Sequence, residues 1–294
     1  MHYERIADIQ HPYDIICVSP HLDDAALSCG GQLIATRHQG LRTLVVTVCT
    51  AIPPVSAHYS DLAVEFHREW GLDEAQAVTT RLGEDRHAMA ILGADDIWLG
   101  LDDAIYRMPQ HYNSRETLFA MPHPSDTLAH QLAPTLTQLA HANPQATWLV
   151  PAGVGMHVDH LCVFAAAQRA LPAPQMRYYE EVPYALNPDV IATRRALLNP
   201  QLHATPIGTY LAAKIAAVNC YASQMAALFG DPTTMPAQLS SYHQQIGADG
   251  PQNAGIPARG AVHVVTSHHC CLSRCATVGS LLRHPRAWPP SPKK

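Results

Sequence analysis

Two short stretches of the chain hold the residues best suited to chemistry. The first, VSPHLDDAALSCGG (residues 18–31), sets His21, Asp23 and Asp24 between an apolar run and a string of small residues. One aspartate ahead of a helix is an ordinary cap, but a cap needs only one. A histidine and two acids this close to a buried strand would repel one another or be desolvated at high cost, unless a cation or a partner compensates them. The second stretch, GMHVDH (155–160), places His157 and His160 at i and i+3 around Asp159. On a helix that spacing puts both imidazoles on one face. With 19 histidines in the chain, such a pair is weak alone. Taken together, the two stretches offer imidazoles and carboxylates in the pattern of an open catalytic metal site, one that keeps a place for water.

The surrounding sequence supplies the elements that would bring the stretches together. DIICVS (14–19) reads as a short buried strand, followed after the polar knot by a helix that stops at Gly40. TLVVTVCT (43–50), DDIWLGL (95–101), TWLVP (147–151) and MRYYEEV (176–182) read as four further strands. Helices are expected over about 74–92, from a cap at Ser125 or Asp126 to about 142, over 157–171, and over about 208–229. Strands alternating with helices imply parallel pairing through right-handed crossovers, hence a Rossmann-like, doubly wound α/β sheet with helices on both faces. Such sheets bind ligands at the carboxyl ends of their strands. The first and fourth of these strands are neighbours in the common doubly wound orders, so their loops should face each other across one crevice. The segment 102–124 lacks periodicity and is long for a connection, which marks it as functional or mobile.

The motifs HLDDA and HVDH resemble those of the zinc-dependent de-N-acetylase family typified by N-acetylglucosaminyl-phosphatidylinositol de-N-acetylase. SCGG (28–31), RLGEDRHAMAILG (81–93), LGLDDAIYR (99–107) and YYEEVPYA (178–185) extend the similarity over roughly residues 13–245. The resemblance implies that His21, Asp24 and His160 hold a metal, Zn2+ with Fe2+ as the other candidate. It also implies that Asp23 is the general base and that His157, taken as protonated, faces the developing charge. On the same ground Arg81 and Asp103 are expected to contact substrate. Arg81 has a competing reading as a helix-surface partner of Asp85, and Asp103 one as a turn residue. Asp159 reads either as the partner of a ligating histidine or as a surface carboxylate. Glu180 and Glu181 end the fifth strand near the same mouth. The chain departs from the family pattern at Leu22 and Ala25, where the family usually has proline and glutamate; orientation and specificity are where that should tell. The implied reaction is hydrolysis of an N-acetyl group from an N-acetylglucosamine-type conjugate.

Rival readings are an Fe(II) oxygenase, since His21-Leu22-Asp23 with a distant histidine also spells an H-x-D…H triad, and a non-catalytic sugar- or nucleotide-binding module. The first calls for a β-rich double-sheet fold, and SCGGQL lacks the spacing of a dinucleotide-binding loop. At 294 residues and 47% apolar content, the chain is long enough for a sizeable core. A net charge of -5 with 19 Lys and Arg argues against nucleic acid or an anionic membrane as partner. Scattered single cysteines and the lack of an apolar leader or spanning run suggest a cytoplasmic protein. A single domain is expected over 1–246. From 247 to 294 the composition turns to Pro, Gly, His, Ser and Cys, an irregular tail in which only AVHVVT hints at a strand and SHHCCLSRC (267–275) gathers metal-binding residue types without regular spacing.

Overall fold

Short runs rich in Val, Ile and Leu build the centre of the molecule. In a computed structural model, residues 1–53, 59–72, 74–198, 201–249 and 261–266 are described. The five strands expected from the sequence are present as β2 (Ile15–Ser19), β3 (Thr43–Cys49), β4 (Asp95–Leu101), β5 (Thr147–Pro151) and β6 (Met176–Tyr179). All residues of β3 are buried, as a strand covered on both faces requires. The edges are completed by β1 (His2–Tyr3), β7 (Gln201–Pro206) and β8 (Ala261–Thr266). The sheet runs β1-β4-β3-β2-β5-β6-β8-β7, with parallel pairing from β1 through β6 and antiparallel pairing of β8 with both β6 and β7. The chain winds from β2 through β3 to β4 on one side and takes up β5 and β6 on the other. Strands β2 and β5 are hydrogen-bonded neighbours, Ile16 opposite Trp148, so their carboxyl ends flank the switch point where a crevice must open.

The helix after β2 is not uniform. Ala25–Cys29 form a single wide π turn, and the α-helix proper runs Gly30–His38. Small side chains are needed here because a Cβ on Gly31 would lie 2.6 Å from Ile207 Cδ1, and one on Gly30 3.3 Å from both Leu92 and Lys214. Helices at Glu74–Leu92, Leu128–Ala142 and Val158–Ala170 lie where the sequence placed them. The single helix expected over about 208–229 is instead a 3-10 turn (Gly208–Tyr210) and two helices, Leu211–Val218 and Ala222–Phe229. Its break is pinned from outside: Tyr221 donates to Asp85 Oδ1 at 2.7 Å, and Glu84 accepts from Ser223 N and Oγ at 2.8 and 2.7 Å, serving the new helix start.

The aperiodic segment after β4 forms two one-turn helices, Ala104–Arg107 and Arg115–Leu118, capped by Asp103 and Ser114. They close a second, smaller core in which Leu62, Phe66, Ile105, Tyr112, Leu118 and Val158 pack together. AVHVVT is β8, so the segment beyond residue 246 contributes a strand to the sheet and is not wholly irregular. The strand β7 had no clear sequence signal, and the SHHCCLSRC cluster lies outside the described residues. The mostly parallel α/β sheet removes the β-rich fold that the oxygenase reading required. Among the described residues no helix is long and apolar enough to cross a membrane.

Candidate active site

The turn leaving β2 is locked before any ligand is considered. Ser19 Oγ donates to His21 O at 2.6 Å and accepts from Ala25 N at 3.0 Å, while Asp24 Oδ2 accepts from His21 N at 2.8 Å. This fixes His21 and Asp24 side by side at the sheet's carboxyl edge. From across the switch point, Val158–Ala170 delivers His160 in its first turn, with His157 at the cap position. Asp24 Oδ2 lies 3.2 Å from His21 Nδ1 and 3.3 Å from His160 Nε2. One donor atom from each of the three lies within 4.8 Å of the others. His160 Nε2 is fully buried, and no described group hydrogen-bonds to it. A buried imidazole nitrogen with no hydrogen-bond partner among the described residues, 3.3 Å from a carboxylate oxygen and grouped with a second imidazole, is a donor set that could hold a cation.

Each of these histidines is held from behind by a carboxylate. His21 turns Nε2 to Asp159 Oδ2 at 3.1 Å, and His160 turns Nδ1 to Glu181 Oε1 at 3.2 Å. Carboxylate support of this kind orients ligating imidazoles and raises their basicity. Glu181 is anchored in turn by Gly153 N (2.6 Å) and Val154 N (3.0 Å). Asp159 accepts from Ala104 N at 3.0 Å and from Arg107 Nη2 at 2.7 Å. Arg107 also grips Asp126 through Nε and Nη2 at 3.0 and 2.8 Å. His21, His157 and Asp159 form a second close group, but both oxygens of Asp159 are already engaged, which makes it a hydrogen-bonded support. The sequence raised Asp159 as a histidine partner and left Glu181 unassigned; it gave no hint of Arg107, whose partners come from distant segments.

Asp23 and Asp24 face different surroundings. Asp23 Oδ1 lies 3.7 Å from Arg81 Nη2, and Arg81 rests over the Trp70 ring with Cζ 5.2 Å from its centroid. Arg81 is therefore not the partner of Asp85, which binds Tyr221 and Trp98 instead. Arg81 Nε is buried and has no hydrogen-bond partner among the described residues. Asp103 both caps the Ala104–Arg107 turn, accepting from Ile105 N at 3.2 Å, and brings Oδ2 to 3.5 Å from His21 Nε2. His21, Asp23, Asp24, Arg81, Asp103 and His157 all line one cleft, together with Phe66, Trp70, Leu118, Phe119, Tyr184 and Leu228. Leu22 and Ala25 are buried in the main core behind it.

Burial dominates the electrostatics here, and specific partners decide its outcome. Burial pulls the His21 pKa down, yet its bonds to Asp159 and Asp24 hold it well above the ordinary value. Burial pushes Asp24 up, yet His160 and His21 hold it well below. Asp23 remains raised, since burial outweighs the nearby Arg81. Burial and then the neighbouring His21 hold His157 well below its usual value, which favours a neutral ring over the protonated one expected from the resemblance. His157 Nδ1 accepts from Asp159 N at 3.2 Å, which leaves the ring proton on Nε2.

Comparisons with known proteins converge on one family. The model of the GlcNAc-PI de-N-acetylase (PIG-L) family matches residues 16–171, across β2, β5 and both motif stretches. A 2'-N-acetylparomamine deacetylase from Niallia circulans is 30% identical over 232 residues, covering 73% of this chain and 82% of its own length. One of the same name from Streptomyces fradiae is 31% identical over 189 residues, covering 62% of this chain and 61% of its own. Among solved structures, the zinc inhibited form of teicoplanin deacetylase Orf2 aligns with a TM-score of 0.68 at 24% identity, over 85% of this chain and 96% of that one. The A40926 pseudoaglycone deacetylase Dbv21 aligns with a TM-score of 0.64, also at 24% identity, over 87% and 97%. The matched span and the coverage of the Niallia enzyme are sufficient: the chain belongs to the GlcNAc-PI de-N-acetylase family.

Proposed function

We propose that the protein is a metal-dependent hydrolase that removes the N-acetyl group from an N-acetylglucosamine-type sugar conjugate. The observation that carries the metal is the buried His160 Nε2, which has no hydrogen-bond partner among the described residues and lies 3.3 Å from Asp24 Oδ2, with His21 on the other side of that oxygen. Two imidazole nitrogens and a carboxylate suit Zn2+, and Fe2+ takes the same donors. His21, Asp24 and His160 would hold the ion, which when bound supplies a Lewis acid for an amide carbonyl and lowers the pKa of a water.

The chain's own residues account for the proton movements. Asp23, in the cleft but turned to Arg81, takes a proton from the attacking water as its oxygen adds to the carbonyl carbon. His157 Nε2–H donates to the carbonyl oxygen as that atom gains negative charge. When the C–N bond breaks, the proton held by Asp23 passes to the leaving nitrogen, so acetate and a free amine leave. Arg81 and Asp103, which line the cleft, are assigned to sugar oxygens and hydroxyls at its mouth, the guanidinium as donor and the carboxylate as acceptor. The names of the two paromamine-acting relatives support an amino sugar as the reacting unit. We place the protein in the cytoplasm, where the free, buried Cys17, Cys29, Cys49 and Cys162 would stay reduced.

The test is acetate release from a panel of N-acetylglucosaminyl conjugates before and after chelation. The account expects release that chelation abolishes and Zn2+ or Fe2+ restores. Release that survives complete metal removal, or none from any conjugate, would overturn it.

A further inference from the structure

The walls of the cleft bear on the group that the sugar carries, an inference that rests on the deacetylase reading above. Phe119 stands edge-on to His157, with ring centroids 5.2 Å apart at 83°, and edge-on to Tyr184 at 5.9 Å and 68°. The Tyr184 ring is in turn 5.9 Å from His160. Phe66 and Trp70, on the helix Asp61–Trp70, stack at 5.5 Å and 17°. Leu118 and Leu228 continue this apolar lining. Aromatic and aliphatic surface therefore begins directly beside the imidazoles where the amide must sit.

Charge points the same way. Arg81 is the one Lys or Arg among the described lining residues, and it already faces Asp23; Asp103 adds a further carboxylate. Phosphate recognition uses unpaired Arg or Lys, or an open glycine-rich helix start. The glycines after β2 offer no such opening, because Ile207, Leu92 and Lys214 fill the space beside them.

We propose that the enzyme selects N-acetylated sugars carrying an apolar aryl or alkyl aglycone over free sugars and over phosphate-linked sugars. The experiment compares kcat and KM for free N-acetylglucosamine, its 4-nitrophenyl and octyl β-glycosides, and its uridine diphosphate conjugate. The expected result is a kcat/KM about tenfold higher for the aryl and alkyl glycosides than for the free sugar, carried mostly by KM. The diphosphate conjugate should fall below the free sugar. Phe119→Ala and Leu228→Gln should each shrink the ratio of glycoside to free sugar. Acetate release without preference for the glycosides, or with preference for the diphosphate conjugate, overturns this proposal and leaves the deacetylase reading intact. No acetate from any of the four sugars overturns both.

Discussion

His21 presents its two ring nitrogens to different carboxylates, Nδ1 to Asp24 and Nε2 to Asp159, so one side chain joins the donor set to its support. His160 does the same in the opposite sense, with Nε2 inward and Nδ1 on Glu181. The roles proposed for the adjacent aspartates follow from what each faces: Asp24 two imidazoles, Asp23 a guanidinium. Glu181→Gln keeps one acceptor oxygen for Gly153 N and His160 Nδ1, but it replaces the oxygen that accepts from Val154 N and removes the negative charge that holds His160. We expect a loss of about 10–100-fold in metal affinity, read by competitive chelator titration on the folded protein. An unchanged affinity would make Glu181 a loop anchor only. The residues that meet at the cleft, His21 to Asp24 and His157 to His160, were legible in the sequence as candidates because each set is local, within four positions. Glu181 and Arg107 were not, since their importance comes from partners 21 and 52 positions away.

The segments that carry the site are held by buried charge as much as by apolar packing. Arg107 ties the turn after β4 to Asp126, ahead of Leu128–Ala142, and to Asp159 on Val158–Ala170. Both carboxylates are fully buried. Arg107→Met should cost about 3–5 kcal/mol in chemical denaturation, because it strands two buried acids. A cost below about 1 kcal/mol would show that the network is dispensable. A second buried group lies in the broken helix. Lys214, in Leu211–Val218, has Nζ 2.8 Å from His243 Nε2 and packs near Cys29, with its pKa pushed down to about 7 by burial. The ordinary value is 10.5, so between pH 7 and 10.5 the unfolded chain binds more protons than the folded one. Stability should therefore rise with pH across that window and fall as pH drops through it. Denaturation of metal-free protein at pH 7 and 9 should show this rise, and Lys214→Met should flatten it; equal slopes in both would contradict the assignment. Helix positions followed from apolar periodicity, but the break near Tyr221 did not. It is imposed by Asp85 and Glu84, which periodicity does not see.

For the molecule as a whole, the order of strands does most of the positioning. Because β2 and β5 are adjacent, two motifs separated by over a hundred residues meet without any long-range search by their loops. This much was readable from the alternation of strands and helices, since parallel pairing and crossover handedness leave few topologies. The far edge was less readable: β7 has little β-branched content, and β8 sits in a segment of otherwise irregular composition. Truncation after Ile246 removes the partner of both β6 and β7 and should lower the melting temperature relative to truncation after Thr266. Equal melting temperatures for the two would show that β8 adds nothing to the sheet. The account as a whole turns on which aspartate holds the ion. Metal content per chain, measured by elemental analysis on purified wild type, Asp24→Ala and Asp23→Ala, decides it. The account predicts that Asp24→Ala loses the ion while Asp23→Ala keeps it and releases no acetate; loss of the ion from Asp23→Ala with retention in Asp24→Ala would contradict it.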